Sequence, residues 1–190
     1  MKGSEVTVYL TGGANKEEQA SLSTEKATGG TIGPSNFIIK GLLGKGTFGE
    51  VFLVEKKDTG AQYAMKVLEK KKVMGQNIVR YALTERNVLS LVEHPFIVRL
   101  NFAFQTKKKL FLILNFYPCG DLGDLLDRKK RLSENVARMY AAEVLLALEE
   151  LHRRDIIYRD LKPDNLVIDE EGHLALTDFG LSKEGIEGDV

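Results

Sequence analysis

A glycine-rich segment, Gly44–Gly49, lies between two strand-like runs, Phe37–Leu43 and Glu50–Glu55, and its spacing is G-x-G-x-x-G. In dinucleotide-binding folds this spacing runs straight into a helix, and the phosphate loop of nucleoside triphosphatases needs Lys-Ser/Thr after its second glycine. Neither feature occurs here. The segment therefore predicts a hairpin whose backbone N–H groups can approach a phosphate chain closely. Taken alone, three glycines are also compatible with a tight turn that binds nothing.

From Phe37 onward the hydrophobic pattern changes once along the chain. The first part continues with further strand-like runs: Gln62–Leu68, Val98–Gln105 and Leu110–Phe116. Together with the two runs beside the glycines they predict an antiparallel meander of five strands with one inserted helix. After residue 118 the pattern predicts two helices and a small hairpin, over Asp121–Lys129, Ser133–Arg153, Leu166–Ile168 and Leu174–Leu176.

Residues 1–36 have a different composition from the rest of the chain. They contain six Gly and nine Ser or Thr. The run Val6–Leu10 has strand character, but no neighbouring segment offers it a partner. We therefore predict a flexible Ser/Thr/Gly-rich tail, with phosphorylation sites as the alternative interpretation of its hydroxyl groups.

Composition excludes several classes of protein. The chain has 190 residues, 27 Lys and Arg against 27 Asp and Glu, and 43% hydrophobic residues, so it is not wholly disordered. Balanced charge gives no reason to expect a nucleic-acid partner. No apolar run approaches the roughly 18 residues of a membrane-spanning helix. The single cysteine, Cys119, favours a reducing compartment, so we expect a cytoplasmic location, with the nucleus as an alternative.

Lys66 and Glu85 are single charged residues on otherwise apolar segments. Glu85 shares one face of the inserted helix with apolar residues at steps of three and four: Ile78, Ala82, Leu89 and Val92. An unpaired buried charge is costly, so Lys66 is the economical partner for Glu85. An alternative without such a pair is equally compatible with these two residues. In it, Glu85 lies at the edge of the apolar stripe and Lys66 extends its amine to solvent.

The polar segment Tyr158–Asn165 precedes the small hairpin, and Asp178–Gly180 follows it. Because antiparallel strands bring their outer ends together, Asn165 and Asp178 should lie side by side. An amide oxygen beside a carboxylate suits a hard divalent ion that bridges phosphates. A polar loop with no chemical role would leave this clustering unexplained.

These motifs, in this order, resemble the signature of eukaryotic protein kinases. Lys66 lies 22 positions after Gly44, and Glu85 lies 19 positions after Lys66, in agreement with that family. Tyr158 in place of His and Thr177 before Asp178 look like the AGC group. Within it, the chain most resembles the protein kinase B (Akt) and serum- and glucocorticoid-regulated kinase branch.

The resemblance implies an α+β, bilobal fold and a division of the chain. After the 1–36 tail, residues 37–116 would form a five-stranded antiparallel N-lobe with one helix. Residues 117–190 would form an incomplete, mainly helical C-lobe that begins with the hinge. The implied activity is transfer of the ATP γ-phosphate to Ser or Thr hydroxyls of protein substrates.

The resemblance also implies a role for each motif residue. Gly44, Gly46 and Gly49 would cover the ATP phosphates, Lys66 would hold the α- and β-phosphates, and Glu85 would fix Lys66. Asn165 and Asp178 would bind Mg²⁺. Asp160 would take the proton of the acceptor hydroxyl, and Lys162 would neutralise the γ-phosphate. The adenosine pocket would be lined by Leu43, Val51, Ala64, Val167 and Thr177, the gatekeeper Leu114, the backbone of Asn115 and Tyr117, and Asp121 at the ribose.

Two further features follow from the same resemblance. Asp121 and Asp164 would read basic residues ahead of the acceptor, although Glu is more usual at both places and reaches one methylene farther. An apolar stack would link the lobes through Leu89, Leu100, Tyr158 and Phe179. An upstream activating kinase is a further expected partner.

The resemblance implies a longer chain than these 190 residues. Gly180 is followed by only ten residues, with no Ala-Pro-Glu motif. We therefore expect a C-terminally truncated fragment or gene model that itself phosphorylates little. The alternative function is a catalytically incompetent, nucleotide-binding regulatory module. Asp160 favours the kinase, because a module that only binds nucleotide has no need of a base.

Overall fold

The computed structural model describes residues 7–10, 32–45, 49–70 and 78–185. These residues belong to two compact units. One comprises the described residues of Met1–Lys72 with Leu100–Leu114, and the other those of Val73–Arg99 with Asn115–Val190. The predicted division after residue 116 lies close to the boundary at 114. The inserted helix, which the prediction placed in the first segment, groups with the second unit.

The first unit contains a six-stranded antiparallel sheet. Its strands are β1 (Thr7–Leu10), β2 (Phe37–Lys45), β3 (Gly49–Lys56), β4 (Gln62–Glu69), β5 (Leu100–Gln105) and β6 (Lys109–Asn115). They lie in the order β1-β5-β6-β4-β3-β2. The five strands predicted from the sequence are all present.

One face of this sheet carries an aromatic and aliphatic core. Phe37 stacks on Phe104 with ring centroids 6.0 Å apart, and Phe104 stacks on Phe111 at 5.2 Å. Met65 and Val67 are buried in the same cluster. Since strand side chains alternate between faces, Ala64 and Lys66 of β4 must lie on the opposite face.

The strand β1 corrects the prediction that Val6–Leu10 has no partner. Thr7 pairs with Gln105 and Leu10 pairs with Phe102, antiparallel to β5. The sequence could not reveal this pairing, because the partner strand lies more than ninety positions away along the chain. The short 3-10 helix Pro34–Asn36 precedes β2. Residues 1–6 and 11–31 of the predicted tail lie outside the described residues.

The second unit is built on helices α1 (Ile78–Leu91), α2 (Leu122–Lys129) and α3 (Glu134–Arg153). The side chain of Asp121 caps α2 by accepting a hydrogen bond from Asp124 N at 2.8 Å. Ser133 caps α3 in the same way through Val136 N. No helix within the described ranges has both the length and the apolar character needed to cross a membrane.

Two small strand pairs complete this unit. They are β7 (Ile156–Ile157) with β10 (Lys183–Glu184), and β8 (Leu166–Ile168) with β9 (Leu174–Leu176). The buried carboxylate of Glu143 on α3 accepts hydrogen bonds from His173 Nδ1 at 2.6 Å and from Leu174 N at 2.8 Å. Glu143 thereby fixes the start of β9 to α3.

Gly49 has a packing reason to be glycine. A Cβ on Gly49 would lie 2.0 Å from the carbonyl oxygen of Val67, whereas a Cβ on Gly44 would meet nothing within 4 Å. We expect Gly49→Ala to destabilise the chain by about 1–3 kcal/mol, because backbone must move to admit the methyl group. Gly44→Ala is the matched control and should leave the denaturation midpoint near that of the wild type. Equal midpoints for both variants would contradict the prediction.

The contact between His173 and Glu143 makes stability depend on pH. The hydrogen bond to Glu143, and then its charge, raise the pKa of His173 above the ordinary 6.5, with smaller contributions from Asp169 and Glu171. Because the pKa of His173 is higher in the folded chain than in the unfolded chain, protonation of its ring stabilises the folded chain. This stabilisation is complete below the unfolded-state pKa and is lost as pH rises through the folded-state pKa.

We therefore expect His173→Gln to lower the thermal midpoint most below the ordinary histidine pKa of 6.5, and progressively less as the pH rises through the raised pKa of the folded chain. Thermal unfolding of both proteins across that range measures the difference. In a Glu143→Gln background the same substitution should lose its pH dependence. A constant difference at every pH in the unmodified background would refute the assignment.

Candidate active site

Three polar side chains of the loop before β8 are joined to one another. The side-chain amide of Asn165 donates to the Asp160 backbone oxygen at 2.9 Å and to Asp160 Oδ2 at 2.8 Å. Lys162 Nζ also reaches Asp160 Oδ2, at 2.9 Å. Both side-chain contacts fall on the same carboxylate oxygen, Oδ2. The structure thus brings together three residues that the sequence singled out.

The hairpin brings the segment before Asp178 to this loop, as predicted. Leu166 pairs with Leu176, and the N–H of Thr177 donates to the carbonyl of Asn165 at 3.0 Å. Asp178 itself has a φ of 60°, in the left-handed region that few residues other than Gly, Asn and Asp adopt readily. The backbone therefore turns sharply at the end of β9.

Tyr158 and Phe179 pack edge to face with ring centroids 5.3 Å apart. They are 2% and 0% exposed, respectively. Burial raises the pKa of Tyr158, and the nearby charges of Asp178 and Asp160 act in the same direction. Its hydroxyl donates to the Thr177 carbonyl at 2.6 Å. These two members of the predicted apolar stack are in contact, and Leu89 of the same unit is buried. The inclusion of Leu100, which belongs to the first unit, stays a prediction.

Arg159 has a structural role that the sequence did not predict. Its φ is 67°, and its guanidinium donates to the carbonyls of Leu181 at 2.7 Å and Ser182 at 3.3 Å. Ser182 Oγ in turn donates to the carbonyl of Tyr158. The segment after Gly180 is thus tied to the loop by hydrogen bonds from side chains to backbone carbonyls, for which no sequence pattern gives a signal.

The segment predicted as the hinge, near Asn115–Gly120, is anchored to β8. The Cys119 N–H donates to the Ile168 carbonyl, the Ile168 N–H donates to the Gly120 carbonyl, and Asp121 bridges to Val167. These contacts hold Val167 beside the hinge residues.

Two predicted adenine contacts lie in the same segment. The N–H of Asn115 donates to the Arg99 carbonyl at 3.0 Å. A hydrogen bond from the backbone of Asn115 to adenine would therefore be made by the Asn115 carbonyl. Burial, followed by the charge of Asp169, raises the pKa of Tyr117 to about 12.

The side chains of Asp121 and Asp164 both lie close to Gly123. A Cβ on Gly123 would be 3.1 Å from Asp121 Oδ1 and 3.5 Å from Asp164 Cγ. Asp121 also caps α2, a role that its position before a helical run could have suggested. The structure therefore gathers the two carboxylates predicted to read basic residues.

The first unit holds the remaining nucleotide-site candidates that are described. Val51 pairs directly with both Gly44 and Lys66, and Leu53 pairs with Ala64. Because paired residues share a face, the candidates Gly44, Val51, Ala64 and Lys66 all lie on the face opposite the aromatic core. Leu43 is exposed and Leu114 is buried. Gly46 lies outside the described residues.

Glu85 is only 2% exposed. This burial excludes the alternative in which Glu85 lies at the edge of the apolar stripe. A buried carboxylate requires a compensating partner. Its pairing with Lys66 would join residues of the two units and stays a prediction.

The residues around the hairpin fit a magnesium ion that is shared with phosphates. The side-chain nitrogen of Asn165 is committed to Asp160, which leaves its oxygen as the group able to face a cation. Asp178 supplies a carboxylate. Within the described ranges, no three His, Cys, Asp or Glu side chains converge to hold a metal by themselves. Mg²⁺ commonly binds through one or two protein ligands and takes the rest from substrate phosphates and water.

Comparison with known proteins shows the family of the chain. Residues 37–189 match the family model described as the protein kinase domain. The chain is 50% identical over 155 residues to a RAC family serine/threonine-protein kinase homolog of Dictyostelium discoideum, covering 82% of this chain and 35% of the relative. It is 50% identical over 159 residues to the human ribosomal protein S6 kinase alpha-2, covering 82% and 22%.

A third relative, the serine/threonine-protein kinase SCH9 of Candida albicans, is 49% identical over 162 residues, covering 84% of this chain and 21% of the relative. The chain thus spans about a third or less of the length of these relatives. Their near-equal identities support the AGC group but do not single out the protein kinase B branch. The domain match over residues 37–189, which is most of the sequence, places this chain in the protein kinase family.

Proposed function

We propose that the chain is the nucleotide-binding and catalytic-loop part of an ATP-dependent serine/threonine kinase of the AGC type. The observation that carries the proposal is the double hydrogen bond from Asn165 to Asp160, combined with the backbone bond from Thr177 to Asn165. Together they hold a potential base beside two potential metal ligands, which is the arrangement that phosphoryl transfer requires.

The loop residues would act mainly by position and charge. Asp160 would orient the acceptor hydroxyl and take its proton through Oδ1, while Oδ2 stays bound to Asn165 and Lys162. The Lys162 amine is protonated at neutral pH, and the hydrogen bond to Asp160 raises its pKa further above the ordinary value. That charge would stabilise the γ-phosphate as it transfers.

The first unit would contribute the phosphate cover and an adenine surface. Gly44 and Gly49 would bring backbone N–H groups close to phosphate, and Lys66 would hold the α- and β-phosphates. Bound Mg²⁺ would neutralise developing charge on the β- and γ-phosphates. Asn165 and Asp178 are the residues of this chain that would hold it.

Two substitutions should affect ATP binding and phosphate transfer differently. Asp160→Asn should preserve the thermal shift caused by Mg·ATP, yet lower phosphorylation of a Ser peptide by about 10²–10⁴-fold, because the base is lost. Lys66→Met should weaken ATP binding by about tenfold or more, because a charged contact to phosphate is removed. Differential scanning fluorimetry and a radiolabelled phosphate-transfer assay on the 190-residue chain measure both effects.

The control is Lys40→Met, which removes an exposed amine on β2 that is paired with Glu55 of β3, and it should change neither readout. Because little transfer is expected from this chain by itself, the alternative, a regulatory nucleotide-binding module, would be favoured only if the chain binds Mg·ATP and transfers no phosphate even at high protein concentration and long reaction times. A wild-type chain with no response to Mg·ATP would contradict a formed site.

We further propose that substrates carry basic residues ahead of the acceptor. The two carboxylates beside Gly123, Asp121 and Asp164, support this proposal, because a guanidinium can contact two carboxylates at once. Asp121 is partly engaged as a helix cap, so Asp164 is the better site for a test.

Replacing an upstream Arg of the peptide by Ala should lower phosphorylation of the original peptide by about two- to fivefold for each exposed charge pair lost. In Asp164→Asn the two peptides should become nearly equal substrates. Asp127→Asn, which removes an exposed carboxylate elsewhere on α2, should retain the preference. Equal use of both peptides by the unmodified chain would exclude basic-directed recognition.

A further inference from the structure

Four lysines from two separate parts of the chain meet at one end of the sheet in the first unit. Lys107 and Lys108 lie in the turn between β5 and β6, Lys109 begins β6, and all three are exposed. Lys70 directly follows β4, and its N–H donates to the carbonyl of Lys108 at 2.8 Å. We name these four residues the lysine cluster. The fold thus brings together two basic segments that are remote from each other in the chain.

The amines of the lysine cluster have no carboxylate partner among the described residues. Lys70 Nζ donates to the side-chain oxygen of Gln105 at 2.8 Å, and that acceptor carries no charge. In the described part of the chain, the side chains of Lys107, Lys108 and Lys109 form no ion pair. The positive charge of the cluster is therefore available to an external anion.

The described residues of the first unit carry an excess of positive charge. They contain nine Lys and no Arg, against four Asp or Glu. Three of the acidic side chains, Glu50, Glu55 and Asp58, pair with lysines outside the cluster, and the fourth is Glu69, beside Lys70. The whole chain, in contrast, has a formal net charge of zero. Such an uneven distribution of charge favours binding to an extended anionic surface.

The backbone N–H groups around the turn are largely engaged within the protein. The N–H of Thr106 donates to the Lys109 carbonyl at 2.8 Å. The N–H groups of Lys108 and Lys109 donate to Thr106 Oγ1 at 3.4 Å and 3.1 Å. Lysine also lacks the planar fork with which arginine holds a single phosphate group. The cluster therefore acts through the charge of its amines and is not a fixed phosphate pocket.

An anionic bilayer fits such a cluster better than a nucleic acid does. Lipid headgroups diffuse and can gather around a compact group of amines, whereas the phosphates of a nucleic acid are fixed along its backbone. Proteins that bind nucleic acid usually add aromatic or guanidinium groups that contact bases. Thr106 and Leu110, which flank the turn lysines, provide neither group. Clusters of about four or more basic residues are typical of sites for anionic lipids.

We propose that the lysine cluster is a membrane-surface site, which binds the headgroups of an anionic bilayer and holds the first unit there reversibly. The binding comes from charge, so it weakens as salt shortens the distance over which charges act. This binding goes beyond the proposed kinase activity and does not require it.

Sedimentation with lipid vesicles tests the proposal on the 190-residue chain. Vesicles of phosphatidylcholine with about 30% phosphatidylserine are compared with vesicles of phosphatidylcholine alone. The variant Lys107→Gln/Lys109→Gln removes two exposed charges of the cluster, and Lys107→Arg/Lys109→Arg retains them. The matched control, Lys40→Gln/Lys57→Gln, removes two exposed lysines from the same unit and changes the net charge equally.

The control residues lie far from the cluster along the sheet. Lys57 directly follows β3, whose residue Glu55 pairs with Gln62 at the start of β4, whereas Lys70 follows the end of β4. A strand of eight residues spans about 25 Å, well beyond the Debye length of about 10 Å at about 0.1 M salt. Lys40 of β2 lies near the same end as Lys57, because the neighbouring Ile39 pairs with Val54.

We expect the wild-type chain to sediment with the phosphatidylserine vesicles and not with phosphatidylcholine alone. Each lysine near an anionic surface contributes about fivefold to binding, so Lys107→Gln/Lys109→Gln should bind about 25-fold more weakly. The Arg variant should bind like the wild type, and the control should change binding by about twofold or less. Raising the salt to about 1 M should abolish sedimentation, because the Debye length falls to about 3 Å.

Several outcomes would overturn the proposal. One is a wild-type chain that does not sediment, or that sediments equally with both kinds of vesicle. Equal losses in Lys107→Gln/Lys109→Gln and the control would assign binding to net charge alone. Tighter binding to a DNA duplex than to the vesicles, at equal phosphate concentration, would assign the cluster to nucleic acid. If the Gln double variant has a lowered thermal midpoint, Lys108→Gln takes its place, with an expected loss of about fivefold.

Discussion

The antiparallel pairing of β8 with β9 is the constraint on which the candidate site depends. It brings Thr177 against Asn165, and through that contact it brings Asp178 to the loop that contains Asp160. Glu143 fixes the other end of β9 to α3 by way of Leu174 N. A hairpin of three-residue strands is weak alone, so its attachment to a helix is what makes it a stable platform.

In the sheet of the first unit, the residues that form the core and the residues predicted to bind nucleotide lie on opposite faces. The rings of Phe37, Phe104 and Phe111 pack on one side. Because side chains alternate, Lys66 and Ala64 are then obliged to lie on the other side, with Val51 opposite Lys66. Gly49 shows that the glycines are not equivalent: one is required by a neighbouring carbonyl, whereas Gly44 has open space around it. Loss of function at Gly44 would therefore report on the ligand rather than on packing.

Much of the fold and site followed from local patterns. The five strands, the helices and the small hairpin were predictable because hydrophobic period and turn residues are local signals. The contacts of Arg159 with Leu181 and Ser182 were not, since they are made to backbone carbonyls that any sequence would supply. The pairing of β1 with β5 was missed because its partner is remote in sequence.

The sequence by itself determined the family, since residue identity and spacing within Tyr158–Asn165 and Asp178–Gly180 are properties of the chain order. Only the tertiary structure decided that Glu85 is buried. It also decided that the side-chain amide of Asn165 donates a hydrogen bond to Asp160, and that the hydroxyl of Tyr158 donates one to the carbonyl of Thr177. Burial and hydrogen-bond direction depend on the packing of segments that are distant along the chain, so no local pattern can fix them.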